Sequence, residues 1–123
     1  MSEQTFYDKN TLSIVPMGFC YPGKGKSGDL PPRKECAPKW HPLLVKKDPR
    51  KIILLVGKYA QDYYLRVKKT LTERIRNWRS DQIQFLPLPH PSPRNNIWLK
   101  RNSWFENEVL PQMQKRINAT FQI

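Results

Sequence analysis

The chain has 123 residues, which is enough for one domain with a core of two or three layers. Its 22 Lys and Arg residues against 10 Asp and Glu residues give a formal net charge of +12, which favours a nucleic-acid partner; a basic surface that is only solvated is the alternative. No stretch approaches the roughly 20 apolar residues that span a bilayer, and the N-terminus lacks the basic-then-apolar layout of a signal peptide, so we expect a cytoplasmic protein that does not enter the membrane.

The N-terminal third combines one short strand with a long irregular loop. Residues 11–15 are apolar and predict a strand that Pro16 ends. The loop 18–32 carries all but one of the chain's glycines, together with Lys24 and Lys26. Such a loop either places backbone N–H groups and positive charge against phosphates or is simply flexible and solvated.

A helix is expected after this loop. It would be opened by a Pro-Pro pair and run through Cys36, Trp40 and Leu44. Pro38 and Pro42 predict that this helix is short or interrupted.

Residues 51–57 give the strongest strand signal in the chain. They contain a continuous apolar run that ends at Gly57, and such a run is typical of a strand buried on both faces. The glycine permits a tight turn into a helix predicted over residues 58–65.

A second helix is predicted shortly after the first. Thr70 and Glu73 match a capping box, in which side chains and backbone satisfy each other at a helix start. Leu71, Ile75 and Trp78 recur at helical spacing and predict its buried side.

The C-terminal part continues the alternation of strands and helices. Residues 83–88 carry β-branched and aromatic side chains and predict a second strand. A final helix is indicated by an apolar stripe that should pack on the sheet, formed by Phe105, Val109, Met113 and Ile117. Pro111 removes a backbone donor and predicts a kink in that helix. The alternation favours a parallel sheet in a layered α/β domain.

The loop of residues 90–96, His-Pro-Ser-Pro-Arg-Asn-Asn, follows the second strand and is the main functional candidate. Open α/β sheets place their ligand chemistry at strand ends. The prolines fix backbone angles and hold the His90 imidazole, the Ser92 hydroxyl and the Arg94 guanidinium at set positions. An ordinary proline-rich turn between two elements is the alternative.

Several segments occur together in this chain: Gly-Phe-Cys-Tyr-Pro-Gly at 18–23, Gly-Asp-Leu-Pro-Pro-Arg at 28–33, Leu-Pro-His-Pro-Ser-Pro-Arg-Asn-Asn at 88–96, a cysteine pair, and the strand that ends in Gly57. In combination they resemble the uracil-DNA glycosylase superfamily. The resemblance extends from about Phe6 to Ile117 and is nearest to a bacterial subgroup of the iron–sulfur, family-4-like branch.

The resemblance implies a three-layer α/β domain with a small parallel sheet, which residues 1–123 form as a single but partial domain. Relatives carry an earlier strand and a glycine-rich loop that lines the uracil pocket, and nothing in this chain matches them. We therefore expect the fold to lack this first strand and its loop, as in an N-terminally truncated member of the family.

The resemblance also implies a reaction and a reacting group. Members hydrolyse the N-glycosidic bond of a flipped uracil or damaged base in base-excision repair of DNA. His90 would donate a hydrogen bond to the uracil carbonyl oxygen as negative charge builds on the leaving base. Pro16 stands where relatives have a base-reading Asn and offers neither an amide nor an N–H, so the resemblance does not extend to the choice of uracil over other pyrimidines.

The same resemblance implies contacts with DNA. The loop that carries His90 would enter the minor groove, where Ser92 holds a phosphate and Arg94 fills the vacated gap or binds the opposite strand. Arg94 followed by Asn95 is similar to the single-strand-selective branch of the superfamily. The residues expected to contact DNA are therefore Ser92, Arg94, Asn95, Lys24 and Lys26.

Cys20 and Cys36 are the chain's two cysteines, and thiols or metal ligands are the expected states of cysteines in the cytosol. They are separated by fifteen residues and match the second half of a four-cysteine [4Fe–4S] site in this branch. A complete cluster needs two further cysteines. We therefore expect no cofactor within this chain and two unliganded thiols, with half of an iron–sulfur site as the alternative.

Two functions stay open at this point. One is a glycosylase-like repair enzyme, whose activity as this chain alone is left undecided. The other is a non-catalytic basic remnant that binds nucleic acid, and a partly folded product of a broken reading frame is a third alternative. DNA is the expected partner, and the sequence makes no prediction of the oligomeric state.

Overall fold

The computed structural model describes residues 2–8, 10–45, 48, 51–66, 68–79 and 84–121. Contacts divide the chain into two compact units, Met1–Lys47 and Asp48–Ile123. The expectation of one domain over residues 1–123 stays a prediction. No helix among the described residues is long and apolar enough to cross a bilayer.

The N-terminal unit contains two helices and a small hairpin. Their bounds are Glu3–Tyr7 (α1), Lys24–Gly25 (β1), Gly28–Asp29 (β2) and Cys36–Leu44 (α2). The Ser2 hydroxyl begins α1 by accepting a hydrogen bond from the Thr5 N–H at 3.2 Å. The hairpin strands pair antiparallel, with Lys24 opposite Asp29.

The strand predicted over residues 11–15 is wrong. The structure describes this whole segment and gives none of it to a strand, and Ile14 is 77% exposed. A short apolar run becomes a strand only where a neighbouring backbone supplies its hydrogen bonds, and no described backbone pairs with this one.

Helix α2 begins at Cys36 rather than at the Pro-Pro pair. A residue that precedes a proline is biased towards extended backbone, so Leu30 and Pro31 favour an extended segment here. Pro42 lies inside α2, whose length of 9 residues agrees with the predicted short helix.

The C-terminal unit is built on two parallel strands, Ile53–Val56 (β3) and Phe85–Leu88 (β4). Ile53 pairs with Phe85 and Val56 pairs with Leu88, so the strands end together at one edge. Both strand predictions are confirmed, although Ile83 lies outside the described residues. The predicted α/β class with a small parallel sheet is confirmed as well.

Burial on both faces, predicted for β3, is wrong. Leu55 is 1% exposed, but Leu54 and Val56 on the opposite face are 40% and 42% exposed. Successive side chains of a strand point to opposite faces, so only one face of β3 is covered. A continuous apolar sequence permits burial on both faces of a strand. It does not determine whether another element packs on the second face.

Two helices connect the strands, Lys58–Leu65 (α3) and Leu71–Arg76 (α4), as predicted. The Thr70 hydroxyl accepts a hydrogen bond from the Glu73 N–H at 3.2 Å, which confirms the backbone half of the capping box. Arg66 caps the C-terminus of α3, and its φ of 54° lies in the left-handed region.

The chain after β4 is almost continuously helical. It contains a 3-10 turn, Pro93–Asn95, then Asn96–Arg101 (α5), a π-helical segment, Phe105–Val109, and Leu110–Phe121 (α6). The Leu110 N–H reaches back five residues to the Phe105 carbonyl just before Pro111, which has no N–H to donate. The missing N–H of Pro111 is thus accompanied by one wider helical turn, and the kink predicted at Pro111 stays a prediction.

The core of this unit is formed by β4, by α4 with the turn after it, and by the last helices. Its buried side chains are Ile75, Trp78, Leu86, Phe105, Val109 and Met113. Ile117 packs against them, so the apolar stripe predicted for the final helix is confirmed. Each large apolar side chain buried here stabilises the fold by roughly 1.5–3 kcal/mol.

Candidate active site

His90 and Gly57 meet at the carboxyl edge of the two parallel strands. The Gly57 N–H donates to the Leu88 carbonyl at 3.0 Å and so extends the pairing of β3 and β4 by one step. Gly57 has a φ of 90°, and a Cβ atom built on it would lie 3.4 Å from both Cβ and Cδ2 of His90. The imidazole therefore packs directly on the backbone between β3 and α3.

The backbone of the His90 loop is fixed by hydrogen bonds within the loop. The His90 carbonyl accepts from the Ser92 N–H at 2.8 Å and from the Asn95 side-chain amide at 2.6 Å. The Asn95 N–H donates in turn to the Ser92 carbonyl at 2.9 Å. His90 itself is exposed, so the loop presents a solvent-facing imidazole on a constrained backbone.

Ser92 and Arg94 follow in the same loop. The Ser92 hydroxyl oxygen accepts from the Arg94 N–H at 3.3 Å and caps the 3-10 turn. A hydroxyl that accepts in this way keeps its own hydrogen for donation. The side chain of Arg94 is exposed. Four of the predicted site residues, His90, Ser92, Arg94 and Asn95, are thus brought together in one turn.

A buried glutamine that the sequence did not indicate supports this edge from below. Gln61 is fully buried, and its side-chain amide donates to the Leu55 carbonyl at 3.1 Å and to the Leu88 carbonyl at 2.9 Å. These carbonyls belong to β3 and β4, and Leu88 lies two residues before His90. Gln61 therefore joins the ends of both strands directly behind the exposed loop.

Arg74 is bonded to the Asp62 carboxylate and also contacts Gln61. The Arg74 guanidinium, in a residue only 4% exposed, donates to Asp62 Oδ1 at 2.7 Å and to Gln61 Oε1 at 3.5 Å. The first is a charge-assisted bond between α4 and α3. Helical spacing could have indicated the burial of Arg74, because Arg74 lies three residues after Leu71 on the buried side of α4. Gln61 carries no comparable signal in the sequence.

The lysines predicted to contact DNA belong to the N-terminal unit. Lys24 lies in β1, and Lys26 lies in the turn between β1 and β2. Both side chains are exposed, as a phosphate contact requires. Their contact with DNA stays a prediction, as do the roles predicted for Ser92, Arg94 and Asn95.

Cys20 and Cys36 also lie in the N-terminal unit, Cys20 exposed and Cys36 partly buried at the start of α2. No disulfide joins them. Among the residues that the structure describes, no group of three or more His, Cys, Asp or Glu side chains is arranged to hold a metal ion. Two thiolates do not fit a four-ligand iron–sulfur cluster.

His41 is the second histidine of the chain, and its position is structural. It is 3% exposed, and its Nε2 donates to the Pro16 carbonyl at 2.7 Å. This bond ties α2 to the segment before the glycine-rich loop. The two histidines therefore differ in exposure, and His90 is the one available to a ligand.

A sequence model of the uracil DNA glycosylase superfamily matches residues 1–114. The match includes the exposed His90 loop, the strand that ends at Gly57 and the glycine-rich hairpin. The subgroup predicted within the superfamily stays a prediction. By this match over nearly its whole length, the chain belongs to the uracil DNA glycosylase superfamily.

Proposed function

We propose that this domain hydrolyses the N-glycosidic bond of a uracil or another damaged base that has been extruded from DNA. Membership of the superfamily supports a DNA glycosylase-like function with DNA as substrate. The observation that carries the proposal further is the exposed His90 imidazole on a backbone held by two hydrogen bonds at the carboxyl edge of the sheet.

His90 stabilises the leaving base in this proposal. As the bond from the sugar C1′ to the base nitrogen breaks, its electron pair moves into the base, and a ring N–H of His90 donates to the carbonyl oxygen that gains negative charge. Water then adds its oxygen to C1′ and releases a proton, and the uptake of one proton by the departing base balances the reaction. The first turn of α3 begins at Gly57 beside the imidazole, and its positive dipole end favours the same negative charge.

The rest of the loop positions the DNA. The Ser92 hydroxyl donates its free hydrogen to a backbone phosphate, and the Arg94 side chain enters the space left by the extruded nucleotide or binds the opposite strand. Asn95 acts mainly by holding the His90 carbonyl, because its side-chain amide is already bonded there at 2.6 Å. Lys24 and Lys26 add phosphate contacts from the hairpin.

The activity is tested with uracil-containing oligonucleotides, single-stranded and double-stranded, followed by alkaline cleavage at abasic sites. We expect strand breaks only at uracil, and none in the matched thymine oligonucleotides. DNA binding without any abasic sites would contradict the proposal and favour the alternative below.

The alternative is a non-catalytic basic domain that binds nucleic acid. The net charge of +12 is the observation that favours it. Both functions predict that DNA affinity falls steeply as salt rises, since phosphate contacts release counterions. The abasic-site assay separates them, because only the glycosylase breaks the bond to the base.

A further inference from the structure

The N-terminal unit contains a cavity that the proposed function does not use. Its volume is about 420 Å³, and it is lined by Tyr21, Pro22, Leu30, Pro31 and Arg33. The site is more open than enclosed, and its volume lies within the roughly 300–1,000 Å³ of small-ligand pockets. The lining combines one aromatic ring, three aliphatic side chains and one guanidinium.

The glycine-rich hairpin builds one wall of this cavity. The Leu30 N–H donates to the Gly23 carbonyl at 2.8 Å, and a Leu30 methyl carbon lies 3.0 Å from where a Cβ on Gly25 would stand. Gly23 and Gly28 have φ values of 101° and 121°, which favour glycine. The absence of a side chain at Gly25 therefore leaves the space that the Leu30 methyl group occupies.

Tyr21 is held by its hydroxyl and leaves its ring accessible. The hydroxyl donates to Asp29 Oδ1 at 3.0 Å, while the residue as a whole is 67% exposed. A bond at the far end of the ring restricts its rotation without covering its faces. Such a ring is a ready surface on which a flat ligand can stack.

The segment that supplies the lining carries more basic than acidic residues, which favours an anion. The segment 21–35 carries four basic residues against two acidic ones; the basic residues are Lys24, Lys26, Arg33 and Lys34. Asp29 already accepts the Tyr21 hydroxyl, and Glu35 lies 3.9 Å from the Arg33 Nε with both side chains largely exposed. An ion pair of that kind is weak and leaves Arg33 able to bind a phosphate.

We propose that this cavity binds one unpaired nucleotide of single-stranded DNA, with its base stacked on Tyr21 and a phosphate at Arg33. A nucleotide combines a flat ring that can stack on Tyr21 with a negative charge that can pair with Arg33. A base inside a duplex has both faces covered by its neighbours, so the bases of a single strand are the ones most able to stack here. The choice of DNA as the source of the nucleotide rests on the proposed function.

The test uses the whole chain and a fluorescent thymidine oligonucleotide without uracil, so that its outcome does not depend on glycosylase activity. Binding is measured by anisotropy for Tyr21→Ala and Tyr21→Phe, with Tyr7→Ala as the matched control at a tyrosine that is 75% exposed in α1. We expect Tyr21→Ala to weaken binding about 5- to 100-fold. Tyr21→Phe, which keeps the ring, and Tyr7→Ala should bind nearly as the unchanged chain does.

Arg33→Gln provides a second, independent readout. On a single strand, log affinity falls as log salt rises, and loss of one phosphate contact should make this fall less steep by about 0.7. Unchanged affinity in Tyr21→Ala, an equal loss in Tyr21→Phe, or the same loss on a blunt duplex would each overturn the nucleotide site.

Discussion

The side chain of His90 packs against Gly57, with its Cβ and its ring Cδ2 each 3.4 Å from where a Cβ on residue 57 would lie. Gly57 also pairs with the Leu88 carbonyl at 3.0 Å. The position of the exposed imidazole therefore depends on the backbone at the start of α3, far from His90 in the sequence.

Gly57→Ala should destabilise the domain by about 1–3 kcal/mol, because a φ of 90° with a ψ of 172° is a conformation that side chains rarely adopt. Sterics contribute less, since 3.4 Å is an ordinary contact distance. Urea unfolding measures the loss. Lys58→Ala, at the exposed next residue, is the control, and equal stability of the two variants would refute the argument.

Gln61→Leu should destabilise the domain by about 2–3 kcal/mol, because two strand carbonyls and the Arg74 guanidinium lose a buried partner. Gln112→Leu, at an exposed position of α6, should change stability by less than about 0.5 kcal/mol. Thermal and urea unfolding of both variants give the comparison. A Gln61 variant as stable as the Gln112 variant would show that the strand ends do not depend on the hydrogen bonds of Gln61.

Asn95→Ala removes the 2.6 Å bond from the side-chain amide to the His90 carbonyl. We expect a lower rate of base release with little change in the free energy of unfolding, since the residue lies in a surface turn. Asn96→Ala, at the exposed neighbouring position, is the control. Equal rates in the two variants would mean that the loop holds His90 without this bond.

Sequence patterns predicted the parts of the fold that depend on local chemistry. The helix at Thr70 has its capping bond, and the stripe from Phe105 to Ile117 packs in the core, because caps and periodicity act within one element. The strand over residues 11–15 and the two-sided burial of β3 were wrong, because both depend on what lies beside the segment.

The residues of the candidate site also differ in whether the sequence alone identifies them. The loop residues from His90 to Asn95 were identifiable because a rigid proline pattern and family motifs mark them. Gln61 was not, because its role comes from meeting two carbonyls on different strands, and only the packed fold brings these together.

The pKa of Tyr21 is raised above its ordinary value of 10.0, chiefly because its hydroxyl donates to Asp29, with further contributions from desolvation and the nearby negative charge. The neutral phenol makes the bond, so its stabilisation of the hairpin is full below pH 10.0 and is lost as pH rises through the raised pKa. NMR titration of the Tyr21 ring should show its midpoint fall in Asp29→Ala and stay in place in Asp8→Ala. An unchanged titration midpoint of Tyr21 in Asp29→Ala would contradict the hydrogen bond to Asp29.

The central claim is that the His90 imidazole stabilises the leaving base. Its most direct test is single-turnover base release from uracil-containing DNA by His90→Ala, measured together with the affinity for the same DNA. We predict a rate lower by about 10²–10³-fold, as for the loss of one donor to a developing anion, with affinity nearly unchanged. A variant that releases uracil at the rate of the unchanged chain would contradict the account.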